Sequence, residues 1–311
     1  PCFCISHHYI WAFINNLSYI CLICLLFLIY NYVKGSGWDM ATIEPAGLPA
    51  VRLGPIQSVA GLDALSDEDM VNVHRSNLLD SNSPNPSVET LLHAFLPHKF
   101  VDHTHANAVL ALTNQPNGAS ICSELYGKSV GLVPYIMPGF SLAKKGLEVY
   151  RANPECEGLI LMKHGIFSFG ETARESYERM IKLVSLAENR LGKERGRLGV
   201  APESRVLAYP AEIAPILRGL CAPSRVDGDC HRMIATYRTT EKIKAYVNGG
   251  ELSRYSQAGP VTPDHVIRTK PKPLIAPPPE DGRLEPWTSE VAARLALYQQ
   301  EYRAYFDRHN R

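Results

Sequence analysis

The stretch FVDHTHANAV, residues 100–109, sets two histidines one residue apart, directly after an aspartate, in an otherwise apolar run. Read as a strand, its side chains alternate between faces, so His103 and His105 project together while Asp102 and Thr104 project to the other side. Two imidazoles on one face can grip a single metal ion, although an isolated pair is as readily two hydrogen-bonded histidines of a core or surface. A third histidine, His164 in LMKHGIF, favours the metal. It closes another apolar strand, where Gly165 lets the backbone turn sharply. Three imidazoles at strand ends suit a catalytic zinc site, which leaves one coordination position for substrate. His93 and His98 flank a helix end and His231 starts a strand, so each reads as structural or exposed.

Glu89 stands fourteen residues before the first of the paired histidines. A glutamate in the first turns of a helix is favoured by the helix dipole alone, so its role depends on what surrounds it. Gly35, Ser36 and Gly37 form a short loop whose main chain a phosphate can approach, with Lys34 beside it for charge. A G-S-G of this kind is also the composition of a plain turn.

The elements that must position these groups are those of an α/β domain. Ser66, three residues ahead of Asp69, opens a helix with a capping box. In SNSPNPSVETLLHAF, Asn85 is the expected N-cap and Pro86 the first helical position, with Leu91, Leu92 and Phe95 on one side and Glu89 in the first turns. GLILMKHGIFSFG is expected to be one buried strand. The following helix keeps a 3.6-residue period through Ala173, Tyr177, Met180, Ile181, Val184 and Leu191, capped by Thr172 and Glu175. From Thr269 to Trp287 the chain is proline-rich, an extended linker or wrapping segment. A last amphipathic helix runs from roughly Ser289 to Arg308, with Val291, Leu295, Tyr298, Tyr302 and Tyr305 on its apolar side.

Composition narrows the function further. The 311 residues carry 32 basic and 31 acidic side chains, so no global field recruits nucleic acid or an anionic membrane, and any anion specificity is local. Eight cysteines, at 2, 4, 21, 24, 122, 156, 221 and 230, show no C-x-x-C pairs outside the apolar N-terminus. That spacing argues against a disulfide framework or a cysteine zinc site and for a reducing compartment. Tyr9 to Val33 holds no charge and has the length of a membrane span or signal-peptide core. Asn15, Asn16 and Ser18 interrupt it, no basic region precedes it and no small-residue cleavage site follows. The expectation is that residues 1–33 are an atypical segment foreign to the fold, with a membrane helix as the alternative.

Three strings, NPSVETLLHAFLPHKFVDHTHANAVLALTN, LYGKSVGLVPYIMPGFSLAKKG and LMKHGIFSFGETARESYERMI, together resemble the class II aldolase and adducin family. They look most like the aldolase half of bacterial bifunctional rhamnulose-phosphate aldolase and short-chain dehydrogenase proteins. The resemblance runs from Lys34 to GPVTPDHVIRTKPKPL, about three quarters of the chain. It implies a three-layer α/β/α fold around a mixed, largely antiparallel sheet over residues 34–268, with the linker and helix of 269–311 appended. It also implies a cytoplasmic homotetramer with sites at subunit interfaces.

Carried over residue by residue, the resemblance makes His103, His105 and His164 the ligands of one zinc ion per chain. Glu89 becomes the residue that abstracts or returns a proton beside the substrate carbonyl. Lys34, Gly35, Ser36, Gly37 and Ser87 become phosphate contacts, and Tyr126 a tyrosine that handles a proton at a neighbouring subunit's site. The implied reaction, in rhamnose metabolism, cleaves rhamnulose 1-phosphate or a similar ketose phosphate to dihydroxyacetone phosphate and lactaldehyde, with zinc stabilising the enediolate. A pentulose-phosphate epimerase using the same zinc is a second reading, and a truncated or adducin-like interaction module without catalysis a third; three histidines and Glu89 weigh against the latter. The chain departs from the family twice. An apolar, cysteine-rich run replaces the glycine-asparagine loop expected upstream of G-S-G, and no G-x-x-x-G-x-G follows before Arg311, so no dehydrogenase activity is expected.

Overall fold

Short apolar strands, buried on both faces, build the main sheet. In the computed structural model, which describes residues 29–192, 206–222 and 233–310, two compact units divide the chain. The first comprises Pro1–Arg195 with Val261–Pro263, and the second Gly196–Pro260 with Asp264–Arg311. Most of the apolar N-terminal run, together with Cys2, Cys4, Cys21, Cys24, Cys230 and His231, lies outside the described residues. No helix among the described residues is long and apolar enough to cross a membrane.

The first unit begins with a small antiparallel pair, β1 (Tyr30–Tyr32) and β2 (Ala50–Arg52), then helices α1 (Leu53–Ser58), α2 (Asp67–Ser76) and α3 (Thr90–Phe95). It continues through β3 (Phe100–Thr104), α4 (Asn107–Thr113), α5 (Gly118–Tyr126), β4 (Val130–Val133), α6 (Phe140–Ala152), β5 (Gly158–Leu161), β6 (Gly165–Gly170) and α7 (Ala173–Gly192). The main sheet has the order β3-β6-β5-β4, with β3 and β5 antiparallel to β6 and β4 parallel to β5.

Strand alternation then fixes the layers. Leu159, Leu161, Phe167, Phe169 and Val133 face one way and pack with Ile56 of α1, Leu91 and Leu92 of α3, and Phe140 and Leu147 of α6. Ile160, Ile166 and Val130 face the other way and pack with Val109 of α4, Cys122 of α5, and Met180 and Leu183 of α7. The result is a sheet between two helical layers, mixed in direction and largely antiparallel. Phe167 and Phe169 are fully buried, each contributing about 1.5–3 kcal/mol by removal of apolar area from water.

Local capping follows the sequence at α2, where the Ser66 hydroxyl accepts from the Asp69 amide at 3.0 Å. At α7 the Thr172 hydroxyl accepts from the Glu175 amide, while the Glu175 carboxylate returns to the amide of Glu171 rather than that of Thr172. Two expectations fail. Helix α3 starts at Thr90, not Pro86, because residues 85–87 are held extended: Gly35 bridges Pro86, the Ser36 amide donates to Asn85 O, and the Ser87 amide donates to Lys34 O. Glu89 is therefore the N-cap residue. And GLILMKHGIFSFG is not one strand but a hairpin, β5 and β6, with Met162, Lys163 and His164 as its turn.

In the second unit the described helices include α8 (Pro210–Leu220), α9 (Glu241–Val247) and α10 (Leu284–His309), the last beginning five residues before the expected start. The proline-rich stretch lies along α10 as a strap. Proline offers a carbonyl but no N–H, so the helix must provide the donors. Trp287 Nε1 donates to Pro277 O at 2.8 Å, Arg294 to Ile275 O at 3.2 Å, and the Tyr298 hydroxyl to Lys272 O at 2.6 Å. Lys270 Nζ sits 3.8 Å over the Tyr302 ring.

Candidate metal centre

Register brings the histidines together. In the β3/β6 pair Thr104 lies opposite Ile166 and His103 opposite Phe167, so β3 ends beside the β5–β6 turn that carries His164. His105 follows immediately after β3. The rings of His103, His105 and His164 have centroids 4.9, 5.2 and 5.1 Å apart in pairs, set edge-on or tilted rather than stacked. Glu89 reaches the same place from the N-terminus of α3, its Oε1 3.7 Å from His164 Nε2. One donor atom from each of the four residues falls within 4.8 Å of all the others. Two ligands at about 2.1 Å on a tetrahedral zinc ion lie roughly 3.4 Å apart, so the four donors would draw in by about an ångström to share one ion.

Hydrogen bonding makes the donor set chemically suited to a cation. His103 Nδ1 lies 3.0 Å from Ile166 O. A carbonyl only accepts, so Nδ1 carries the proton and Nε2 keeps its lone pair. That Nε2 is buried with no hydrogen-bond partner, as is His164 Nδ1. Buried nitrogens left in this state are costly unless something electrophilic sits between them. His103 is further oriented by stacking on Phe167, with centroids 4.2 Å apart and planes at 18°. A backbone carbonyl behind a ligating imidazole is the usual outer support of a metal site.

The electrostatics agree. Burial, followed by the neighbouring imidazoles of His105, His164 and His93, holds His103 well below the ordinary histidine range, against the opposing pull of Glu89. His103 is thus neutral at pH 7, as ligation requires. For Glu89, burial is the largest influence and raises its pKa. The approach of His164 at 3.7 Å, the electrostatic influence of His103 on the carboxylate and the hydroxyl of Ser87 outweigh it, so the carboxyl sits below the usual carboxylate range.

Gly165 has a different use from the one its sequence position implied. The left-handed residue of the hairpin turn is Lys163, with φ of 62°, and not the glycine. A Cβ on Gly165 would lie 2.6 Å from Thr104 O, 3.0 Å from His103 Cε1 and 3.1 Å from His105 Cδ2. Only a residue without a side chain lets the two strands hold both imidazoles. Lys163 is the one non-glycine residue with positive φ among the described residues, a conformation costing about 1–2 kcal/mol.

The other candidate residues fall elsewhere. Gly35 and Ser36 donate their amides to Gly47 O and Asn85 O, at 2.8 and 2.7 Å, so these main-chain donors are already bonded. Lys34 Nζ donates to Gly35 O, and Gly37 is exposed with φ of 85°. The Ser87 hydroxyl donates to Glu89 Oε2. What the G-S-G segment does visibly is dock onto residues 85–87 and so hold the approach to Glu89. Tyr126 is buried in the second core, its hydroxyl donating to Leu183 O at 3.1 Å. The supports of His103, Phe167 and Ile166 O, could not be found by sequence reasoning, because they depend on strand register.

Residues 16–191 match the family described as "Class II Aldolase and Adducin N-terminal domain", more than half of the chain, and residues 208–311 match "Aldolase class II, second domain". The chain belongs to the class II aldolase and adducin family. Among curated proteins, this class II aldolase-family chain is 33% identical over 286 residues to an uncharacterized oxidoreductase, YuxG, of Bacillus subtilis (strain 168). That match covers 89% of this chain and 41% of YuxG, so the chain spans about two fifths of that relative's length. Among solved structures it resembles the N-terminal class II aldolase domain of a conserved protein from Thermoplasma acidophilum, at 40% identity and a TM-score of 0.50. That likeness covers 52% of this chain and 75% of the other.

Proposed function

We propose that this protein is a metal-dependent aldolase that cleaves a ketose 1-phosphate of the rhamnulose type to dihydroxyacetone phosphate and lactaldehyde. The observation that supports it is the meeting of His103, His105, His164 and Glu89 at one end of the sheet. His103, His105 and His164 would hold the ion, zinc by ligand type, which supplies Lewis-acid stabilisation of negative charge on substrate oxygen.

The remaining steps belong to the chain. Cleavage breaks the C3–C4 bond and leaves its electron pair on the ketone fragment, so C3 must gain a proton while the C4 hydroxyl loses one. Glu89 is the carboxyl within reach of the cluster and can carry that proton to C3. Burial is the largest influence on Glu89 and favours its protonated form, against the lowering effects of His164, His103 and Ser87. The half-buried setting of Glu89 and the buried His164 keep bulk water from competing. The same reading includes a homotetramer in the cytoplasm, which sedimentation and fractionation address.

The test is lactaldehyde release from rhamnulose 1-phosphate by the full chain loaded with zinc. Release that disappears on chelation and returns with zinc is expected. A zinc-loaded protein that cleaves no ketose 1-phosphate would overturn the proposal.

A further inference from the structure

Glu89 sits at the start of α3, a helix of 6 residues, Thr90–Phe95. Helices this short do not hold themselves in water, so the placement of the carboxylate depends on what clamps α3 to the sheet. Thr90, Leu91, Leu92, Ala94 and Phe95 are all buried. An apolar side chain at position 93 would suit that setting, yet the residue is His93, and an imidazole packed there costs free energy unless it has partners. Its partners are on the strands. The His93 and Phe167 ring centroids are 5.2 Å apart with planes at 59°, and the His93 ring also meets the main chain of Val101 in β3. Phe167 is the same ring on which His103 stacks, at 4.2 Å and 18°. On the helix side, the His93 amide donates to Glu89 O at 3.1 Å. One residue thus touches both the backbone under Glu89 and the aromatic plate under His103. It offers Glu89 no counter-charge, since burial lowers its pKa to about 4 and leaves the ring neutral at pH 7.

We propose that His93 is a positioning residue for the reaction: its ring, set against Phe167, holds α3 to the plate shared with His103 and so fixes the Glu89 carboxylate relative to the histidine cluster. The inference rests on the proposed function in that it takes Glu89 to be the group that carries a proton to the substrate. Glu89 and His103 come from different elements, the N-cap of α3 and strand β3, and Phe167 of β6 is the contact common to both sides. Phe167 is fully buried, and a close-packed ring transmits placement because it has no room to yield. Groups that must act together on one substrate lose rate steeply when either shifts by about an ångström.

The experiment compares the zinc-loaded full chain as wild type, His93→Leu and His93→Phe, by crystallography and by steady-state lactaldehyde release. His93→Leu removes the ring at similar bulk. It is expected to move the Glu89 carboxylate by about an ångström or more and to lower kcat by about tenfold or more, with zinc content, KM and the stack of His103 on Phe167 unchanged. His93→Phe keeps a ring against Phe167 and should restore both the position of Glu89 and most of kcat. Adding His93→Leu to Glu89→Gln should cost no further activity, because the amide carries no proton wherever it lies. An unmoved Glu89 in His93→Leu overturns the proposal, as does a loss that adds in full to that of Glu89→Gln. Loss of zinc in His93→Leu also overturns it, by assigning the residue to the upkeep of the cluster. A folded His93→Phe chain with Glu89 displaced overturns it too, and does so even where His93→Leu yields no folded protein. Displacement of Glu89 in His93→Leu alone, with no lactaldehyde released by the wild type, would leave His93 in its role and remove the aldolase reading.

Discussion

Two histidines near opposite ends of β3 stack on phenylalanines two residues apart in β6 and differ in what surrounds them. His98 stacks on Phe169 with centroids 4.4 Å apart and planes at 11°, and His103 stacks on Phe167 at 4.2 Å and 18°. Each also has a buried Nε2 without a hydrogen-bond partner. Around His98 stand the edge of Tyr150 and the Glu171 carboxylate at 3.4 Å, whose side chain is 72% exposed. Around His103 stand two further imidazoles and Glu89, only 16% exposed. Aromatic stacking orients an imidazole at either end; a reactive centre needs several lone pairs to converge with a carboxylate shielded from water.

Substitution at the two ends should separate them most sharply. His103→Ala is expected to empty the cluster of zinc and lower lactaldehyde release by about 10³-fold or more, measured by metal analysis and steady-state assay. His98→Ala should leave both unchanged. Next in size, Glu89→Gln should keep zinc and reduce kcat by about 10²–10⁴-fold, since the amide cannot carry a proton. An intermediate effect is expected from Gly165→Ala. Its methyl would press on Thr104 O, His103 and His105, so zinc affinity should fall by about 10–100-fold in a competition titration. Gly54→Ala, where the added methyl meets nothing within 4 Å, is the matching control.

The smallest effect concerns acid stability. His74 is buried on α2, away from the cluster, and burial lowers its pKa to about 4. In the unfolded chain it titrates near 6.5, so between those values the unfolded state binds more protons. The stability His74 contributes is complete above pH 6.5 and is lost as the pH falls to 4, on the order of 3 kcal/mol over that window. Denaturant titrations of His74→Leu across the window should show a shallower pH dependence than wild type. An identical slope would place the acid sensitivity elsewhere.

The sequence made some of this legible and hid the rest for physical reasons. The 3.6-residue period of α7 is visible, and the Ser66 and Thr172 caps are local, so α2 and α7 can be read directly. The donor residues are visible as His103, His105, His164 and Glu89, because the H-x-H spacing, a third histidine at a strand end and the resemblance of the surrounding strings single them out from the other histidines and acids. Within GLILMKHGIFSFG the backbone turn was read at Gly165 but the hairpin was not, because the apolar residues on either side of Lys163 and His164 have no differing period and the turn uses a left-handed lysine in place of glycine. The start of α3 was misplaced because Pro86 carries a helix-start signal that a tertiary bridge to Gly35 overrides. The partners of the Gly35 and Ser36 amides, and the carbonyl behind His103, are long-range and leave no local trace.

On this account the three imidazoles hold one cation and Glu89 stands beside it. Anomalous diffraction at the zinc edge, on crystals of the full chain, tests it most directly. One peak per chain within about 2.0–2.1 Å of a nitrogen from each of His103, His105 and His164 is the predicted result. An intact fold in zinc-saturated crystals with no peak at that end of the sheet, or with the ion bound elsewhere, would contradict it.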